Sequence, residues 1–123
     1  MKKVLWFSRH EMTTEQKEAL GGNVEITQIS GTFPNVHVPF QDSEGNELPP
    51  FKEIIKGYDV IAIVLPIHLE KQVLDIAGDK PVIKAMNQRQ LVRVEGKEDK
   101  VNFIFTGWKR LVKIEVVMED YKP

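Results

Sequence analysis

The chain contains no cysteine, which excludes disulfides, thiolate metal sites and a cysteine nucleophile. No apolar run approaches the roughly 18 residues that begin to suggest a membrane span. Met1-Lys2-Lys3 leads into a strand-like segment without the apolar core of a signal peptide, so a cytoplasmic location is expected. Charge of one sign is also lacking: 17 basic side chains face 18 acidic ones, a net charge of −1. That balance sets aside a polybasic nucleic-acid arm, an acidic tail and a disordered chain. No Gly-x-Gly-x-x-Gly, Walker A or hydroxyl-rich flavin phosphate loop follows the first strand-like run, and there is no His-Glu-x-x-His or tight carboxylate cluster. No cofactor and no metal are therefore expected.

What is present is 123 residues with 41% apolar side chains, enough for one domain (1–123) with a real core. Charge is unevenly spread. Residues 1–79 carry seven basic and twelve acidic side chains, whereas residues 80–123 carry ten basic and six acidic. The last third thus offers cationic surface to an anion.

Lys3-Val4-Leu5-Trp6-Phe7 is apolar without alternation, as in a parallel strand buried on both faces. It breaks at Ser8-Arg9-His10. Thr13 with Gln16 three residues on fits a capping box, predicting a helix over 14–20 that stops at Gly21-Gly22. Residues 23–29 alternate with period two and read as a half-buried strand, placed at an edge. Residues 30–50 are rich in Gly, Pro, Asn, Ser and Asp and predict a long irregular loop of the kind often used as a lid or binding loop. A short helix over 51–56 follows, then the plainest strand, 58–65, apolar and central. Leu69, Val73, Leu74 and Ala77 fall on one face of a helix ending at Gly78. Residues 80–86 form another strand, 90–95 a strand or turn, and 96–100 a charged turn. Two β-rich runs, 101–105 and 111–118, flank Thr106-Gly107-Trp108-Lys109-Arg110 and predict an antiparallel pair turning there.

This alternation predicts an α/β fold, a small flavodoxin- or Rossmann-like three-layer sandwich with a mostly parallel sheet of order 2-1-3-4 and a C-terminal antiparallel β extension. Ligands in such sheets sit beyond the carboxyl ends of the strands. That rule selects Ser8-Arg9-His10, Pro66-Ile67-His68 and Asn87-Gln88-Arg89, bringing His10 and His68 to neighbouring strand ends. A histidine there serves as acid or base near neutral pH, or donates to a phosphate. Arg9 and Arg89 are suited to forked phosphate contacts. Trp108, Lys109 and Arg110 join an aromatic face to two cations, a combination that fits a base and its phosphate. Ser8 lacks a Gly-x-Ser-x-Gly elbow, so hydrogen bonding suits it better than nucleophilic attack. His37 is expected at the surface. Arg9-His10-Glu11 lacks the glycine of the Arg-His-Gly-Glu start of histidine phosphatases, and no Ser-His-Gly partner follows.

Phe7-Ser8-Arg9-His10-Glu11-Met12-Thr13-Thr14-Glu15-Gln16 resembles the opening of the small stand-alone CARF-like ring nucleases of type III CRISPR systems. The layout of the remainder is similar: a Pro-Val strand, a polar segment ending in Arg89, a charged turn, then Phe-rich strands with basic residues. It departs after the third strand, where Leu65-Pro66-Ile67-His68 replaces a polar, glycine-containing segment. The resemblance implies a CARF-like domain that binds a cyclic oligoadenylate messenger and cleaves it without metal, ending an antiviral signal. It implies catalytic roles for Ser8, Arg9 and His10. His68, Asn87, Gln88, Arg89, Trp108, Lys109 and Arg110 would contact the ring. A two-fold symmetric ring suits a C2 homodimer, with neither membrane nor duplex nucleic acid as partner. Two other classes stay open on the residues alone: a non-catalytic nucleotide sensor or sponge, and a dimeric interaction subunit without ligand.

Overall fold

A computed structural model describes residues 1–93, 95–96 and 100–123 of the chain. Strand β1 (Lys2–Phe7) leads to helix α1 (Thr14–Ala19) and strand β2 (Val24–Ile29). A short hairpin follows, β3 (Phe40–Gln41) and β4 (Glu47–Leu48). Helix α2 (Phe51–Ile54) then runs through a 3-10 turn, Ile55–Gly57, into β5 (Val60–Ile63). Helix α3 (Ile67–Ala77) connects to the long strands β6 (Val82–Val92) and β7 (Lys100–Arg110). The main sheet has the order β2-β1-β5-β6-β7. Its first four strands are parallel, and β7 returns antiparallel along β6. The protein is thus α/β, with a mostly parallel five-stranded sheet and an antiparallel extension.

Alternation along the central strands divides the core in two. Leu5, Phe7, Ile61, Ile63 and Val82 face α2 and α3. Val4, Trp6, Ala62 and Ile83 face the other way, toward Met12, Leu20 and Trp108. Both faces of β1 and β5 are therefore buried, which explains their unbroken apolar runs. The capping box at α1 forms as expected: Thr13 Oγ1 accepts from Gln16 N–H at 3.2 Å, and Gln16 Oε1 accepts from Thr13 N–H at 2.9 Å. Helix α3 ends at Gly78, whose φ of +61° favours glycine.

Residues 30–50 differ from the long irregular loop expected. Phe33, Val36 and Phe40 are buried in the core facing α2 and α3. The Phe7, Phe33, Phe40 and Phe51 rings pack with centroids 5.0–6.1 Å apart. Gly31 is bridged to Asp42, and a Cβ at position 31 would lie 2.9 Å from Gln41 O, so only glycine allows this approach. Asp42 accepts from Glu44 N–H and Asn46 N–H, both at 2.9 Å. The Asn46 bond above all holds the Asp42 carboxyl below its ordinary range. The segment is held by its aromatics and by this side-chain-capped hairpin.

The C-terminal third also differs. The strand expected over 80–86 continues to Val92, so Asn87, Gln88 and Arg89 lie within a strand and not in a loop after it. The turn expected at 106–110 is instead the second half of β7. The register passes from Met86↔Gly107 to Asn87↔Phe105, leaving Thr106 as the extra residue of a bulge. Gly107 thus marks a bulge rather than a hairpin tip. Residues 111–118 carry no regular structure, although a strand is expected there. The charged turn expected over 96–100 lies partly outside the described residues. Among the described residues no helix is long and apolar enough to cross a membrane.

Candidate functional site

The site grows from the break after β1. Once Phe7 has paired with Ile29 and Ile63, Ser8 N–H bonds to Ile29 O at 3.2 Å and the chain turns outward. Four hydrogen bonds fix the turn. Trp6 Nε1 donates to His10 O at 2.7 Å, and Gln28 Nε2 donates to Ser8 O at 2.9 Å and to His10 O at 3.0 Å. Ser8 Oγ accepts from His10 N–H at 3.1 Å. These carbonyls, satisfied from β1 and β2, hold a segment whose Arg9 and His10 are exposed while Ser8 is buried. The Ser8 hydroxyl retains its own hydrogen for donation.

Two adjoining cavities open at the carboxyl ends of β1 and β5 and share Ser8, His10, Val64 and Leu65 as a common wall. One, about 360 Å³, lies toward β6 and is lined also by Gln16, Glu70, Lys84 and Asn87. The other, about 470 Å³, lies toward the 31–33 segment and the start of α3, and takes in Arg9, Phe33 and Pro66. Each falls in the range of small-molecule pockets, ~300–1,000 Å³. Ser8 and His10 thus line both cavities of the cleft, Asn87 only the one toward β6 and Arg9 only the other.

The other candidates lie elsewhere. His68 is exposed in the first turn of α3 and lines neither cavity. Gln88 and Arg89 are exposed on the β6–β7 ribbon, Arg89 opposite Phe103. Trp108 is half-buried: its ring meets Trp6 edge-on at 5.7 Å and its Nε1 donates to Gln16 O at 3.0 Å. Packing and that bond account for its aromatic face and its N–H. Lys109 pairs with Lys84 across the strands, and Arg110 Nη2 reaches Asp79 O at 3.4 Å.

One pair in the cleft escapes sequence reasoning. Glu70, 4% exposed on α3, binds Lys84 Nζ at 2.7 Å. A signal existed: Glu70 lies three residues before Val73, on the buried stripe of α3, where an acid needs a partner. Gln28 was also legible as a polar residue in an alternating strand. Among the described residues no three His, Asp or Glu side chains gather as they would around a metal ion. In comparison with known proteins, no family model, no curated protein and no solved structure matches this chain.

Proposed function

We propose that the protein binds a cyclic oligoadenylate in this cleft and cleaves it as a ring nuclease. The observation that carries the proposal is that one strand end presents Ser8, Arg9 and His10 to two adjoining cavities, of which the one toward β6 also takes in Asn87 and the Glu70-held Lys84. The fold is taken as a small flavodoxin- or Rossmann-like three-layer sandwich, its parallel strands in the order 2-1-3-4, with the ligand at the carboxyl ends.

His10 accepts the proton of a ribose 2′-OH. The 2′-oxygen forms a bond to the adjacent phosphorus, the bond from phosphorus to the 5′-oxygen breaks, and that oxygen takes up a proton from solvent, to which His10 returns its own. The product is a linear oligoadenylate ending in a 2′,3′-cyclic phosphate. Arg9 and Lys84 offset charge on the phosphoryl oxygens, Ser8 donates to one of them, and Asn87 reads an adenine edge. A ring of several nucleotides exceeds either lobe, so two copies facing each other across it meet the size of the ligand.

The test is incubation with cyclic tri-, tetra- and hexa-adenylate in EDTA, with products resolved by mass spectrometry. Linear fragments with a cyclic phosphate end are expected, and His10→Ala slows single-turnover cleavage at least about tenfold, as loss of a general base does. Intact rings that raise the melting temperature would make the protein a sensor or sponge. Intact rings with no shift would overturn the nucleotide proposal.

A further inference from the structure

We infer that residues 112–121 form a β-strand for a second copy of this chain, pairing along the free edge of that copy's β6–β7 ribbon. The inference stands on ribbon and tail alone and does not depend on what the cleft binds.

The tail is a strand without a sheet. Val112, Val116, Val117, Met118 and Tyr121 are all at least 76% exposed. Lys113 and Glu115, two residues apart, form an ion pair. In extended backbone side chains at that spacing share a side, which puts Val112, Ile114, Val116 and Met118 on the opposite one. The pattern is that of a half-buried strand, yet among the described residues it pairs with no strand, and of that side only Ile114 is half-buried.

The ribbon is a sheet edge without a strand. β7 is the last strand of the sheet, and β6 is bound to β5 only through Val82 and Ile83. The rest is a two-stranded ribbon with Leu91, Phe103 and Ile104 exposed. Edges of that length are open to strand addition. Ten extended residues span about 33 Å, close to the reach of an eleven-residue strand. Charge selects this edge: the strand residues of β6 and β7 include Lys84, Arg89, Lys100, Lys109 and Arg110 and no acid, whereas the tail carries Glu115, Glu119 and Asp120 against Lys113 and Lys122. The other sheet edge, β2, carries Glu25.

The tail does not serve its own β7. Leu111 N–H bonds to Val82 O at 2.7 Å and its side chain packs on the core, which fixes the point of departure. Folding back requires a tight turn at once, and Arg110-Leu111-Val112-Lys113 contains no Gly, Asn, Asp or Pro to make one. An identical edge on a second copy is free of that constraint, and reciprocal exchange closes a C2 dimer.

Sedimentation of the full chain over a range of concentrations is expected to show a dimer. Adjacent strand N–H groups point to opposite edges, so the double variant Val116→Pro, Val117→Pro removes a ladder donor in either register. It is expected to weaken dimerisation at least tenfold with the circular dichroism of the body unchanged. A full chain that is monomeric throughout, or a double variant that dimerises as well as the parent, would overturn the inference. The cysteine-free background permits a second arm. Copies carrying Val116→Cys, mixed in turn with copies carrying Asn102→Cys, Ile104→Cys or Thr106→Cys, should join through a short bismaleimide at one of these positions, and failure of every mixed crosslink would equally overturn it.

Discussion

The body of the sheet and the β6–β7 ribbon use the same kinds of residue to opposite ends. In the body, β5 is only four residues long, yet it is flanked on both edges and covered on both faces, and Ile61, Ala62 and Ile63 are wholly buried. In the ribbon, two eleven-residue strands pair only with each other over most of their length, with phenylalanine and leucine in solvent. Strand length is therefore no guide to what holds this protein together. An isolated two-stranded ribbon is marginal in water. This one draws its support from the Trp108 contact with Trp6 and Gln16, and from the Glu70–Lys84 pair at its base.

The largest effect should come from the body. Phe51 is fully buried against the rings of Phe7 and Phe33. Phe51→Ala removes those contacts and leaves a cavity, and is expected to cost about 3–5 kcal/mol in urea unfolding. That is much of the stability of an ordinary domain. A loss below about 1 kcal/mol would mean that the aromatic cluster is not the centre of the fold.

Next in size is the junction of body and ribbon. Lys84→Met leaves Glu70 buried without its cation. Because Lys84 is itself half-buried, the expected loss is about 1–3 kcal/mol, less than for a wholly buried pair. The double variant Glu70→Gln, Lys84→Met should recover part of it, since both charges are then gone. Equal losses in the single and double variants, measured by the same unfolding curve, would show that the pair carries no coupling across the junction.

The same contrast explains what the sequence made legible. Both-face burial writes unbroken apolar runs, so β1 and β5 were readable, and the Thr13–Gln16 box fixed the start of α1. The strand-end rule placed Ser8, Arg9 and His10 at the cleft because β1 is central. The ribbon hides from such reading: its outer part, exposed over 86–91 and 100–104, has no reason to alternate, so Asn87-Gln88-Arg89 looks like loop, and the bulge at Thr106 looks like a turn. The 30–50 segment hides for another reason. Its burial rests on Phe33, Val36 and Phe40, whose i, i+3, i+7 spacing suits a helix that Pro34 and Pro39 interrupt, so the pattern points to no element that forms. The Glu70–Lys84 pair joins residues distant in sequence, and nothing local announces the partner.

The smallest effect should be the most telling. Phe103 is 72% exposed and faces Arg89 across the strands. In dilute monomer, Phe103→Ser removes little that folding has buried, and its effect should stay within about 0.5 kcal/mol. A phenylalanine in the ribbon would then count for a small fraction of one in the body, and the division between the two regions would be complete. If a second copy's tail lies along this edge, the same substitution must become costlier as protein concentration rises, because association stabilises the folded state by mass action. Unfolding curves at low and high concentration therefore read two quantities from one residue: its weight in the monomer at dilution, and its share of the strand exchange in the increase. A loss above about 1 kcal/mol at dilution would break the comparison, since the ribbon would then be part of the core that the body was thought to hold alone.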